Sequence, residues 1–250
     1  MMRRMVVAGC LAAAMPTAAQ SVARRIDAIR DGTVRLVFAA RPGVCGNAEG
    51  GVTIMNPRRP ETVYWNSRSC EPGPVRVAIG REGGHTTSVR ERVGSRWPSG
   101  VDGTDLGTVD ATEAARYLLV AAATLGGKSG NEAVSAAAMA DAGNLAPEFT
   151  RLVRSDEAPM DTRKDALFWL GQSDIATDEL TRLYDRSQPF ALREQWTFVL
   201  SQQHDDVALD KLIEIARGDS DVEIRKRAMF WLGQSRDPKA IQFLHDLILR

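Results

Sequence analysis

The spacing of apolar and polar residues changes its period partway along the chain. Between residues 21 and 31, SVARRIDAIRD places Val22, Ile26 and Ile29 at helical spacing, and Gly32 follows as a stop. TVRLVF then alternates Val34, Leu36 and Phe38. PVRVAI alternates Val75, Val77 and Ile79, and TSVRERV alternates Thr87, Val89, Glu91 and Val93. Period two with β-branched side chains predicts strands, because successive side chains of an extended chain leave on opposite faces. Gly83–Gly84 separates the last two runs and predicts a hairpin turn, where positive φ angles favour glycine. Between 41 and 74 Gly, Pro, Asn and Ser are frequent, and VTIM is the one further strand candidate. These residues predict a small antiparallel sheet with a loop-rich insert.

From Asp110 the period becomes helical. Asp110 followed by Glu113 resembles a capping box, and AARYLLVAAATL continues as helix to Gly126–Gly127. Every segment from Asn131 onward is helical in its spacing. Charge changes at the same place: residues 20–108 hold 13 basic and 9 acidic side chains, whereas 109–250 hold 17 and 23. A boundary near 108 separates a β-rich domain (20–108) from a helical domain (109–250), and the expected fold class is α+β.

Within the helical part, NEAVSAAAMAD, TRKDALFWLGQ, LREQWTFVLSQ and EIRKRAMFWLGQ align. Their anchor residues Met139, Leu170, Leu200 and Leu232 are spaced 31, 30 and 32. A second ladder, Leu152, Leu183, Leu212 and Leu244, is spaced 31, 29 and 32. Two ladders with one period predict four tandem units of two short helices. No such unit buries its apolar face alone, so neighbours must stack. The hexapeptide FWLGQS, at Phe168–Ser173 and again at Phe230–Ser235, is apolar nearly all round, as a helix covered on several sides needs.

The fullest unit, DVEIRKRAMFWLGQSRDPKAIQFLHDLI, has an early Arg, then Ala, Leu-Gly and Asp-Pro-x-Ala. Arg163, Arg193 and Arg225 occupy the Arg slot. These residues resemble HEAT-like repeats of the short, phycobilisome-lyase type, over about 131–250. The first unit departs from the pattern. Glu132 replaces the Arg and Ala136–Ala138 replace Leu-Phe-Trp, which fits a capping unit. The resemblance implies a C-terminal α-solenoid, a scaffold whose members mostly bind proteins; bilin chemistry is not encoded by the repeat itself. Residues 20–108 resemble no family.

Composition narrows the function. Net charge is zero, from 32 basic and 32 acidic residues, which argues against an electrostatically driven nucleic-acid binder. Arg3, Arg4, the apolar VVAGCLAAAM and PTAAQ read as a signal peptide over 1–19, cut after Ala19. A lipobox-like VAGC ending at Cys10 is the rival, but only Met1–Val6 precede it, too few for an apolar core. No other stretch approaches the ~20 apolar residues of a membrane helix. The mature chain is therefore expected to be periplasmic or secreted, without a transmembrane segment. Losing the signal leaves Cys45 and Cys70, expected to form a disulfide in an oxidising compartment.

Candidate chemistry is sparse. TLGGKS near Lys128 lacks the first glycine of a phosphate-binding loop and follows a helix, so it reads as a helix-to-helix turn. His85, His204 and His245 are scattered, and the HDD at 204–206 reads as a helix start. No catalytic residue, metal ligand or cofactor is expected. The function expected is a non-catalytic extracytoplasmic scaffold for a protein or peptide partner. The alternatives are an enzyme, or enzyme-accessory protein, with its site in 32–108, and a purely structural envelope component.

The candidate binding residues are the ladders Arg163, Arg193 and Arg225 and Gln172, Gln202 and Gln234, with Trp169 and Trp231. A purely structural reading stands beside this one: the arginines pair with acids in adjacent loops and the glutamines cap turns. At the end of the chain Phe243 takes the slot of Arg182 and Lys211, and Leu249 that of Arg217. They widen an apolar stripe beyond the inward positions Ile241, Leu244 and Ile248. Either Phe243 folds over the end of the stack, or Phe243 and Leu249 belong to a self-association or partner face on the C-terminal helix.

Overall fold

A computed structural model describes residues 21–49, 52–56, 59–65 and 70–249; the expected signal peptide and its cleavage site lie outside them. The described part opens with a short helix, α1 (Val22–Asp27), and continues into β1 (Gly32–Phe38). Strands β6 (Val75–Glu82), β7 (His85–Val93) and β8 (Thr104–Thr108) join β1 in one sheet of order β7-β6-β1-β8. The three alternating runs bury the same face: Val34, Leu36 and Phe38 lie beside Val75, Val77, Ile79, Val89 and Val93. Gly83 and Gly84 both have positive φ, +57° and +85°, at the turn joining β6 to β7, as a tight hairpin demands.

Two features differ from the expectation. Strand β8 pairs with β1 in parallel, so the sheet is mixed. Its sequence TDLGT lies largely in solvent, so no apolar alternation marks it. The insert is also more than loops. It holds β2 (Val44–Gly46), β3 (Val52–Asn56), β4 (Arg59–Trp65) and β5 (Glu71–Pro72), a second antiparallel sheet of order β4-β3-β2-β5. Cys45 on β2 is joined to Cys70, beside β5, by a disulfide with the Cα atoms 5.3 Å apart.

Helix α2 (Ala111–Ala122) starts at Asp110, whose carboxylate accepts the Glu113 N–H at 2.8 Å. The Glu113 carboxylate accepts the Val22 N–H at 2.7 Å, so it caps α1 and does not close the box on Asp110. Four helical pairs follow: α3 (Gly127–Met139) with α4 (Ala146–Arg154), α5 (Met160–Gln172) with α6 (Thr177–Thr181), α7 (Phe190–Ser201) with α8 (Asp206–Gly218), and α9 (Val222–Gln234) with α10 (Pro238–Ile248). The first helices of the pairs pack in series, α3 on α5, α5 on α7 and α7 on α9. Gly171 permits that approach: a Cβ there would lie 2.4 Å from Val199 Cγ1 of α7.

One hydrophobic core runs from Val22 of α1 to Phe243 of α10. The first pair is the joint. Its alanines Ala133, Ala136 and Ala137 are fully buried, and small side chains let α3 lie between β7 and α5. Backbone bonds stitch the halves together, Asp141 N–H to Ala39 O at 2.8 Å and Arg41 N–H to Met139 O at 2.9 Å.

At this joint the Glu91 carboxylate of β7 accepts from the Ser135 hydroxyl of α3, and Glu132 accepts the Glu91 N–H at 3.0 Å. Burial pushes the Glu91 carboxyl up to about 8; the Ser135 hydrogen bond opposes this and the Glu132 charge adds to it. The folded chain thus keeps a proton that the unfolded chain releases near pH 4.5. Stability from this group is complete below that pH and is lost as pH rises through about 8. Glu91→Gln, which stays neutral, is expected to match the wild type at pH 4.5 and exceed it at pH 9 by at least about 1 kcal/mol, after allowance for screening at a half-buried site. Thermal melts across that range check this. An equal pH dependence in the two proteins would refute it.

Candidate functional site

The arginine ladder anchors loops. Each guanidinium bonds the segment that leads into its own helix. Arg163 Nε donates to Val153 O at 3.0 Å and Arg163 pairs with Asp156 at 3.1 Å. Arg193 Nε donates to Gln188 O at 3.0 Å, and Arg225 Nη1 to Asp219 O at 2.7 Å. Arg193 also reaches forward to the Asp219 carboxylate at 2.5 Å, whose side chain is fully buried. The Tyr184 hydroxyl donates to the other Asp219 oxygen, and the Asp221 N–H donates at 2.9 Å. Burial, with the Asp219 hydrogen bond and charge beside it, holds the Tyr184 hydroxyl above its ordinary range. Arg163 and Arg193 are buried, whereas Arg225 is half-buried.

The glutamine and tryptophan positions line crevices along one edge of the stack, where the first helix of a pair turns into the second. Between the third and fourth pairs lies a crevice of about 770 Å³. Gln202, Trp231 and Gln234 line it together with His204, Asp206 and Arg236. Leu200, Leu209 and Leu212 add apolar lining, and Phe198 touches the Trp231 ring at 5.4 Å between centroids. Between the first and second pairs a crevice of about 360 Å³ is lined by Trp169 and Gln172 with Phe149, Leu145, Asn144 and Arg41. Trp169 is almost wholly buried, Trp231 half-buried, and Gln234 exposed.

Arg41 is the residue that sequence patterning overlooks. It sits in the loop after β1, and the backbone bonds of residues 39–41 to 139–141 carry it over the first crevice. Its Nε is buried without a hydrogen-bond partner, and desolvation lowers its pKa against the opposing charge of Asp174. Only the fold brings a residue of the β-rich half to the helical ladder, so no spacing along the chain signals it.

At the C-terminus the expected register of α10 is corrected. Phe243 is buried, with the Arg217 guanidinium 5.0 Å from its ring centre, while Ile241 and Ile248 are exposed at 57% and 83%. Phe243 turns back onto α8, and the positions that point inward in the inner pairs are exposed here among the described residues. Leu249 is exposed, as its place in the widened stripe implies.

The remaining chemical motifs have structural roles. Asp205 of the HDD caps α8 by accepting the Ala208 N–H at 2.9 Å, and it also accepts from Thr177 Oγ1 at 2.6 Å. The glycines of TLGGKS make the turn into α3, with the Gly127 N–H donating to Asp161. Among the described residues no cluster of His, Cys, Asp and Glu is arranged to hold a metal ion, and no helix is long and apolar enough to cross a membrane. No curated protein and no solved structure matches the chain. Residues 224–249, which span most of the fourth pair, match the PBS lyase HEAT-like repeat family, so the fourth pair is a HEAT-like repeat.

Proposed function

We propose that this protein is a non-catalytic, extracytoplasmic scaffold that holds an extended segment of a protein partner along the edge carrying Gln172, Gln202 and Gln234. The observation that carries the reading is the recurrence of one arrangement at two junctions of the stack: a tryptophan floor with side-chain amides at the rim. Amides satisfy the backbone of an extended chain whatever its sequence, and the ring supplies a desolvated apolar anchor. Repetition at the period of the solenoid suits a linear ligand. The HEAT-like repeat and the Cys45–Cys70 disulfide support a scaffold in an oxidising compartment.

The ladder arginines contribute by fixing the loops that shape the edge. In the β-rich half, the crevice beside the disulfide is lined among the described residues by Ala39, Ala40, Arg41, Pro42 and Gly43.

Trp231→Ala combined with Gln234→Ala is expected to weaken the complex with a partner captured by crosslinking at least roughly 30-fold, the loss of one interface hot spot. Gln202→Glu, which leaves the packing intact, should weaken it less. Surface-immobilised binding measurements on folded variants decide the matter. Unchanged affinity in both would contradict the proposal.

A further inference from the structure

The last pair keeps the surface that earlier pairs use to receive a neighbour. In the second pair Phe168 is half-buried and Gly171 is buried against Val199, with Gln203 Nε2 donating to Gly171 O at 3.0 Å. The same word recurs 62 residues later, where Phe230 is 54% exposed and Gly233 is open to solvent. A Cβ added at Gly233 would meet only Leu244 Cδ1, at 3.9 Å. The second helices agree. Leu209, Ile215 and Ala216 of α8 are buried, and the residues 32 positions on, Ile241, Leu247 and Ile248, are exposed. Leu249 extends that apolar surface.

We infer that this end face of α9 and α10 is a two-fold interface with a second copy of the chain. It continues the packing surface that already joins α5 to α7 and α7 to α9 inside each copy. The far end of the stack is not open to it, because α3 is covered by α2 and by β6 and β7. Head-to-tail stacking therefore lacks an acceptor surface, and face-to-face pairing is the arrangement that closes.

An antiparallel pairing also suits the shape of the face. Phe230 and Gly233 lie one turn apart, so each copy's ring can enter the space above the other's glycine. Charges at its edge are paired inside one copy, Lys226 with Glu223 and Lys239 with Asp210, so the apolar surface carries the contact.

Gly233→Gln separates association from folding. The position is helical and open, so a longer side chain is harmless to one copy and even favours helix. The experiment is sedimentation of the purified full chain across the micromolar range, with melts as a folding control. Wild type should be a dimer, and Gly233→Gln and Phe230→Glu should each dimerise at least tenfold more weakly without losing helix content. A wild type that stays monomeric overturns the inference, as do variants that dimerise like wild type. Open-ended oligomers in place of dimers would also overturn it. The crevice proposal is untouched by any of these results, since it is read with a heterologous partner.

Discussion

Arg193→Ala is expected to destabilise the protein by about 3–5 kcal/mol, the cost of breaking a buried ion pair by removing one partner. The Asp219 side chain has no access to solvent and takes hydrogen bonds from Arg193, from the Tyr184 hydroxyl and from the Asp221 N–H. Without Arg193 the carboxylate stays buried with its charge unmatched, and the Gln188 carbonyl loses its donor. Were the pair near the surface, this change would cost less than Leu200→Ala. Burial of both partners removes that premise. Arg225→Ala is the comparison: its guanidinium bonds only the loop carbonyls of Asp219 and Ser220, so its loss is expected near 1 kcal/mol. The double variant Arg193→Ala, Asp219→Asn should recover part of the loss by removing the stranded charge. Urea unfolding measures all three. A cost for Arg193→Ala no larger than that for Arg225→Ala would show that the charge is not stranded.

Leu200→Ala is expected to cost about 2–5 kcal/mol, the range of a large-to-small change in a core that relaxes only in part. Leu200 is almost wholly buried in α7, the helix that packs on α5 on one side and α9 on the other. Both neighbours lose contact at once, so cooperativity between pairs should suffer along with stability. Val120→Ala, on the exposed face of α2, should change stability by less than about 0.5 kcal/mol. Equal melting temperatures for the two variants would mean that the anchor ladder had been misaligned.

The helical half was legible because repetition magnifies a weak signal. Leu170, Leu200 and Leu232 are buried at the expected period, and the loops between them place Gln172, Gln202 and Gln234 on one edge. The sheet was legible where one face is buried: Val34, Leu36 and Phe38 betray β1 through their alternation. Strand β8 was not, because an exposed edge strand such as TDLGT has no apolar face to alternate. Spacing could propose the arginine ladder but not its burial, which depends on how the loop at Asp219 folds over Tyr184 and Arg193. Spacing left two places open for Phe243, and in the structure its ring folds back under Arg217 of α8, with Ile241 and Ile248 outward instead. Arg41 joins the crevice through long-range backbone pairing, which leaves no periodic trace.

The proposed partner is expected on the glutamine edge of the solenoid and not on the β-rich half. A photo-crosslinking side chain at Gln234, on the rim of the larger crevice, compared with one at His85, on the exposed hairpin between β6 and β7, tests this most directly. In cells, the Gln234 position should yield a discrete adduct with another protein, identified by mass spectrometry, that is lost on adding Trp231→Ala. The His85 position should yield no such adduct. A specific adduct from His85, with none from Gln234, would contradict the account and move the binding site to the β-rich half.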